Sequence, residues 1–174
     1  ETARRGGLAI LHGLDSQKES GLYTGIAGSG FVLTELHRAT RDSQFGQAAS
    51  RVARQVAAAE PSEVNDIIGG AAGTGLFLLY AARELKMPEL REAAIRYGKV
   101  LLSRGRKTTS GIEWPMDAKF PRLMPNFSHG TAGVAYFLAS LALETKDPAF
   151  REAAIAGGNH LRSIAKAEGD RCLI

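Results

Sequence analysis

NFSHGTAGVAYFLASLALET (126–145), running directly into KDPAFREAAIAGGNHLRSIA (146–165), is one of three copies of a single pattern, and the repetition decides the fold. The second copy is DIIGGAAGTGLFLLYAAREL with KMPELREAAIRYGKVLLSRG (66–105), and the first is GLYTGIAGSGFVLTELHRAT with RDSQFGQAASRVARQVAAAE (21–60). Aligning Gly25, Gly70 and Gly130 brings Gly28, Gly73 and Gly133 into register, and further on Phe45, Leu90 and Phe150. The run from Arg91 to Ile95 recurs from Arg151 to Ile155, and Pro88 recurs as Pro148, a placement that suits the first turn of a helix. The spacings are 70 − 25 = 45 and 130 − 70 = 60, so the second link carries about fifteen extra residues.

Each copy predicts a pair of helices. The first helix of a pair is apolar on nearly every side, with Phe31, Val32, Leu33 and Leu36 in one copy, Leu76 to Leu79 in the next and Tyr136, Phe137, Leu138 and Leu141 in the third. Such a helix belongs in an interior. The second helices mix apolar residues with Arg51, Arg54, Arg91, Glu92, Arg96, Lys99, Arg151 and Glu152, and so face water on one side. Inner and outer helices in alternation describe an all-α fold: an α/α solenoid or a closed α/α toroid. Upstream, the apolar patch Leu8 to Leu11 reads as the end of a preceding helix, followed by a polar loop over 15–20.

The chain has 174 residues, 44% hydrophobic and only 7% aromatic, which fits one domain spanning 1–174 with close-packed, small-residue helices. Arginine and lysine alternate with acids along the helices, so the net charge of +4 forms no basic stripe; nucleic-acid binding is not expected. The longest uncharged run, 67–82, is too short and too rich in glycine to span a bilayer, so no membrane association is expected. A lone cysteine, Cys172, rules out an internal disulfide framework, fits a reducing cytoplasm and cannot build a cysteine-based zinc site alone.

His129 is the leading candidate for chemistry. It stands directly before the small residues that open the third inner helix, where the positive helix end disfavours its protonated form and keeps the ring usable as an acid or base; the alternative is a histidine that caps a backbone group. Superposed repeats make Gly21, Asp66 and Asn126 equivalent, and likewise Thr24, Gly69 and His129. Asp66 therefore sits at the same end of the bundle, either capping backbone amides or facing His129 to orient its ring and share proton transfer. The recurring glycines serve packing, or let helix ends approach a central ligand. His12, His37 and His160 lack such a setting and read as structural or exposed. In the 106–124 link, Trp114, Pro115, Met116, Phe120 and Pro121 pack on the surface or wall the cavity near His129.

On GLYTGIAG (21–28), DIIGGAAG (66–73) and above all NFSHGTAGVAYFLA (126–139), the chain resembles the lanthionine synthetase C-like family, the cyclases that build thioether rings in lanthipeptides. The resemblance implies a toroid of about seven inner and seven outer helices, of which this chain holds roughly the N-terminal half. It implies zinc-assisted addition of a cysteine thiol to dehydroalanine or dehydrobutyrine in a peptide substrate, with His129 and Asp66 as proton-handling residues. The family's Trp-Cys-x-Gly and Cys-His-Gly metal motifs are absent, and Cys172, between Arg171 and Leu173, fits neither. Zinc is thus expected in the full-length parent and not in this chain, which alone is expected to be inactive. The apolar ends of an incomplete arc are expected to drive self-association. Two alternatives remain: a metal-free peptide-binding scaffold on the same fold, and a carbohydrate-active α/α toroid using Glu113 and Trp114.

Overall fold

A computed structural model describes residues 1–120, 123–169 and 171–173, the last three by backbone alone. Pro121 and the side chain of Cys172 therefore lie outside the described residues. Among the described residues are seven α-helices: α1 (Thr2–Gly13), α2 (Ile26–Thr40), α3 (Ser43–Ala58), α4 (Ala71–Glu84), α5 (Leu90–Arg104), α6 (Thr131–Thr145) and α7 (Pro148–Ile164). The three expected hairpins are α2–α3, α4–α5 and α6–α7, and α1 is the helix that precedes them, packed on α2 and α3. Two short antiparallel ribbons interrupt the all-α pattern: β1 (Arg106–Lys107) with β2 (Ile112–Glu113), and β3 (Lys166–Glu168) with β4 (Arg171–Leu173).

The inner helices touch in the order α2, α4, α6 and the outer ones in the order α3, α5, α7. Small residues on each inner helix make that stacking possible. The ring of Phe77 fills the space that a side chain at Gly30 would need, and one repeat later Phe137 does the same at Gly75. Both rings are fully buried, each stabilising the stack by roughly 1.5–3 kcal/mol. Phe45, Leu90 and Phe150, in register in the sequence, occupy the same buried position on the three outer helices.

Helix starts follow local chemistry. The Asp42 carboxylate accepts from the Gln44 amide at 3.0 Å to open α3, and Asp147 accepts from Ala149 at 2.9 Å to open α7, where Pro148 is the first helical residue. Pro88 differs from the expectation: it lies in a turn before α5 begins at Leu90, with the Arg91 amide bonded to its carbonyl at 3.1 Å.

The inner helices are not covered on all sides. Phe31, Tyr136 and Leu143 project from the concave side, with Leu143 73% exposed, and they edge a cleft of about 390 Å³ across α2, α4 and α6. Across its floor the Tyr80 hydroxyl donates to the Glu35 carboxylate, joining α4 to α2. No helix among the described residues is long and apolar enough to cross a membrane.

Candidate active site

The chain doubles back sharply before every inner helix. The first helical amide bonds to a carbonyl seven residues earlier in all three repeats: Ile26 to Glu19 at 2.8 Å, Ala71 to Val64 at 2.8 Å and Thr131 to Met124 at 3.1 Å. Ala72 bonds to Asn65 and Ala132 to Pro125 in the same way, each at 3.2 Å. The lead-in loop therefore satisfies amides that a helix start leaves unpaired.

This geometry explains the glycine pairs. A side chain at Gly70 or Gly130 would collide with the backbone of the returning loop, and one at Gly73 or Gly133 with the carbonyl three residues further along it. The glycines stand in extended or helical backbone, so close approach and not unusual dihedral angles requires them. Of the two readings of the glycines, packing holds. The helix-start amides are already bonded to the chain itself.

Asp66 and His129 ride on neighbouring lead-in loops. The loops are joined by the Ile67 amide, which bonds to the Ser128 carbonyl at 3.1 Å. Asp66 uses both carboxylate oxygens: Oδ1 accepts from the Gly69 amide at 2.9 Å and Oδ2 from His129 Nδ1 at 2.8 Å. Both readings of Asp66, as a cap and as the partner of His129, hold together. In the next repeat Asn126 Oδ1 accepts from the His129 amide at 2.8 Å, the same turn built with an amide side chain.

Burial divides the pair's roles. The Asp66 side chain is 4% exposed and the His129 ring 40%. A buried carboxylate bonded at both oxygens holds the Nδ1–H tautomer and fixes the ring plane. Nε2 forms no hydrogen bond among the described residues and is the nitrogen left to exchange a proton.

Trp114 anchors the 106–124 link in the core. It is fully buried, its indole N–H donates to the Leu101 carbonyl at 2.8 Å, and its backbone amide donates to Thr131 Oγ1 at 3.1 Å. Phe120, in contrast, lies on the surface, as expected of the link, while the indole of Trp114 is unavailable to stack on a sugar. Asn65, next to Asp66, is bonded on every side: its amide to Met116 O at 2.8 Å, Nδ2 to Pro115 O at 2.9 Å, and Oδ1 from Arg104 at 3.1 Å. Asn65, Arg104, Asn126 and Thr131 are thus positioning residues that sequence reasoning passed over. One signal was present, the alignment of Asn126 with Asp66.

Glu113, the other acid considered, lies elsewhere, 3.3 Å from His160 Nε2. His160 Nδ1 faces Thr108 Oγ1 at 3.2 Å and Ser110 Oγ at 3.3 Å, so both ring nitrogens are occupied and the residue ties α7 to the β1–β2 ribbon. The structural reading of His160 holds. His37 is likewise engaged, its Nδ1 donating to the Asp42 carbonyl at 2.9 Å.

Among the described residues, no group of three or more His, Cys, Asp and Glu side chains stands close enough together to hold a metal ion. Asp66 and His129 alone do not fit a zinc site, which takes three or four protein ligands.

A search of curated proteins finds no match to the chain. The family model described as lanthionine synthetase C-like protein matches residues 8–169, which covers all three hairpins and both members of the Asp66–His129 pair. The chain belongs to the lanthionine synthetase C-like family.

Proposed function

We propose that this chain carries the proton-handling side of an enzyme that adds a cysteine thiol to dehydroalanine or dehydrobutyrine in a peptide. In that reaction sulfur forms a bond to the β-carbon, and the π pair of the double bond moves toward the α-carbon and its carbonyl as an enolate. A proton added at the α-carbon then completes the thioether, balancing the proton lost from the thiol. One acid and one base are needed.

His129 Nε2 is the atom we assign to that exchange, and the buried Asp66 carboxylate holds the ring. The observation that carries the reading is the 2.8 Å Asp66–His129 bond, made so as to leave Nε2 unpaired and the ring half-exposed. When bound in the full-length protein, zinc would lower the thiol pKa and supply the thiolate. The residues described here do not form its site. A cytoplasmic location accords with the single cysteine.

The test is thioether formation by the full-length protein on a dehydrated peptide, followed as loss of maleimide-reactive thiol by mass spectrometry. Asp66→Asn and His129→Ala are expected to stop the reaction while peptide binding persists. Unchanged turnover in His129→Ala would refute the assignment.

A second reading has its own support. The exposed Phe31, Tyr136 and Leu143 on the concave side suit an apolar peptide face, as in a scaffold that binds without reacting. Peptide binding by the wild-type protein with no thioether formed would select it.

A further inference from the structure

The opposite end of the inner helices carries a second repeated device. α2 ends in Thr40-Arg41-Asp42 and α6 in Thr145-Lys146-Asp147. In both, the threonine hydroxyl donates to a carbonyl one turn back, at 2.6 and 2.8 Å, and accepts from the aspartate amide at 3.2 Å. The residue between is left-handed: Arg41 has φ 60° and Lys146 φ 61°, and Lys86 after α4 has φ 56°. Glycine or asparagine is the ordinary occupant of such a position. Here a long cation stands at all three. A cation offsets the negative helix end from any site in the last turn, so the dipole accounts for the charge and not for its place on left-handed backbone.

Two of these turns, those of Arg41 and Lys86, open onto one cleft. Between the second and third hairpins Arg91 on α5 reaches Glu144 on α6 at 3.4 Å. The counterparts between the first and second hairpins are positions 91 − 45 = 46 and 144 − 60 = 84, namely Gly46 and Glu84. With glycine in place of arginine, the His37 ring lies against Gly46 and a cleft of about 680 Å³ remains. Arg38, Arg41, Arg54, Lys86 and Glu84 all line it, an excess of 4 − 1 = 3 positive charges with His37 neutral. Arg38 and Glu84 are paired with each other at 3.7 Å, whereas Arg41, Arg54 and Lys86 form no ion pair among the described residues.

We propose that this cleft binds a soluble oligophosphate, with a diphosphate as the smallest ligand that fits the pattern. Three unpaired cations come from three elements: the end of α2, the face of α3 and the turn after α4. A single carboxylate cannot meet all of them, whereas a diphosphate presents oxygens in several directions to two guanidinium forks and an ammonium. The site lies at the other end of the inner helices from His129.

The probe is inorganic pyrophosphate, read by calorimetric titration and by the melting midpoint, with sulfate at matched ionic strength as reference. Pyrophosphate is expected to bind and to raise the midpoint more than sulfate does. Arg41→Gly with Lys86→Gly relieves left-handed backbone while removing two cations, so it is expected to fold with an equal or higher midpoint and to bind at least tenfold more weakly. Lys146→Gly, at the equivalent turn away from the cleft, is expected to leave binding unchanged. Pyrophosphate no better than sulfate, undiminished binding in the double variant, or equal loss in Lys146→Gly would each overturn the proposal.

Discussion

Asp66–His129 and Glu113–His160 are both carboxylate–imidazole pairs, at 2.8 and 3.3 Å, and they stand in opposite surroundings. In the first the carboxylate is buried and the ring half-exposed, with one nitrogen unpaired among the described residues. In the second both side chains are nearly buried, and hydroxyls of Thr108 and Ser110 face the remaining nitrogen. The motif alone therefore says little about chemistry. A histidine with both nitrogens engaged can only fasten; one held by a single nitrogen keeps the other available.

The largest effect should come from turning the first pair off. His129→Ala in the full-length protein is expected to lower turnover by about 10²–10⁴-fold, the range for loss of a general acid or base, with little change in melting midpoint because the ring is half-exposed. The comparison breaks if His160→Ala lowers turnover equally at a temperature where both variants are folded. Next, Trp114→Ala is expected to cost roughly 3–5 kcal/mol in denaturant unfolding, the usual penalty for emptying a fully buried indole site.

His160→Ala should cost about 1–3 kcal/mol by leaving the nearly buried Glu113 unpaired, and Glu113→Gln less, because its amide oxygen still faces Nε2, with turnover per folded molecule unchanged in both. A comparable loss, about 1–3 kcal/mol in unfolding, is expected from Asn65→Asp, which keeps an oxygen facing Arg104 but sets a buried carboxylate oxygen against the Pro115 carbonyl where a donor stood. The smallest effect is electrostatic. Burial, and then the bonded Glu35 carboxylate, push the Tyr80 phenol well above the usual range; burial also raises Tyr97. The folded state keeps protons that the unfolded chain releases, so their contribution is intact below pH about 10 and declines as pH rises past it. Ultraviolet titration should show Tyr80 and Tyr97 ionising above the usual tyrosine range; ionisation of both within that range would contradict the burial.

The hairpins were legible because their determinants are residue types at fixed spacing: glycine pairs, an apolar inner stripe and charged outer helices. Asp66 and His129 were legible for the same reason, since superposing the repeats puts both at one end. What the glycines do was not, because their partners are backbone carbonyls, and every residue has one. The sequence of the link showed large apolar side chains at Trp114, Pro115 and Met116 but not their direction. Trp114 turns inward because Leu101 and Thr131 offer its N–H groups partners that water would otherwise supply. His160 gave no hint of its setting, because Glu113 and Ser110 come to it across 47 and 50 residues of chain.

The backward loop bonds before each inner helix have a wider consequence. They make every helix entrance a self-contained socket, closed by its own main chain, in which the residues four before and one before the glycine are free to vary. The first socket holds Gly21 and Thr24, the second Asp66 and Gly69, the third Asn126 and His129. The same main-chain closure thus presents a different pair of side chains in each repeat, and only the second and third sockets meet, through Asp66 and His129.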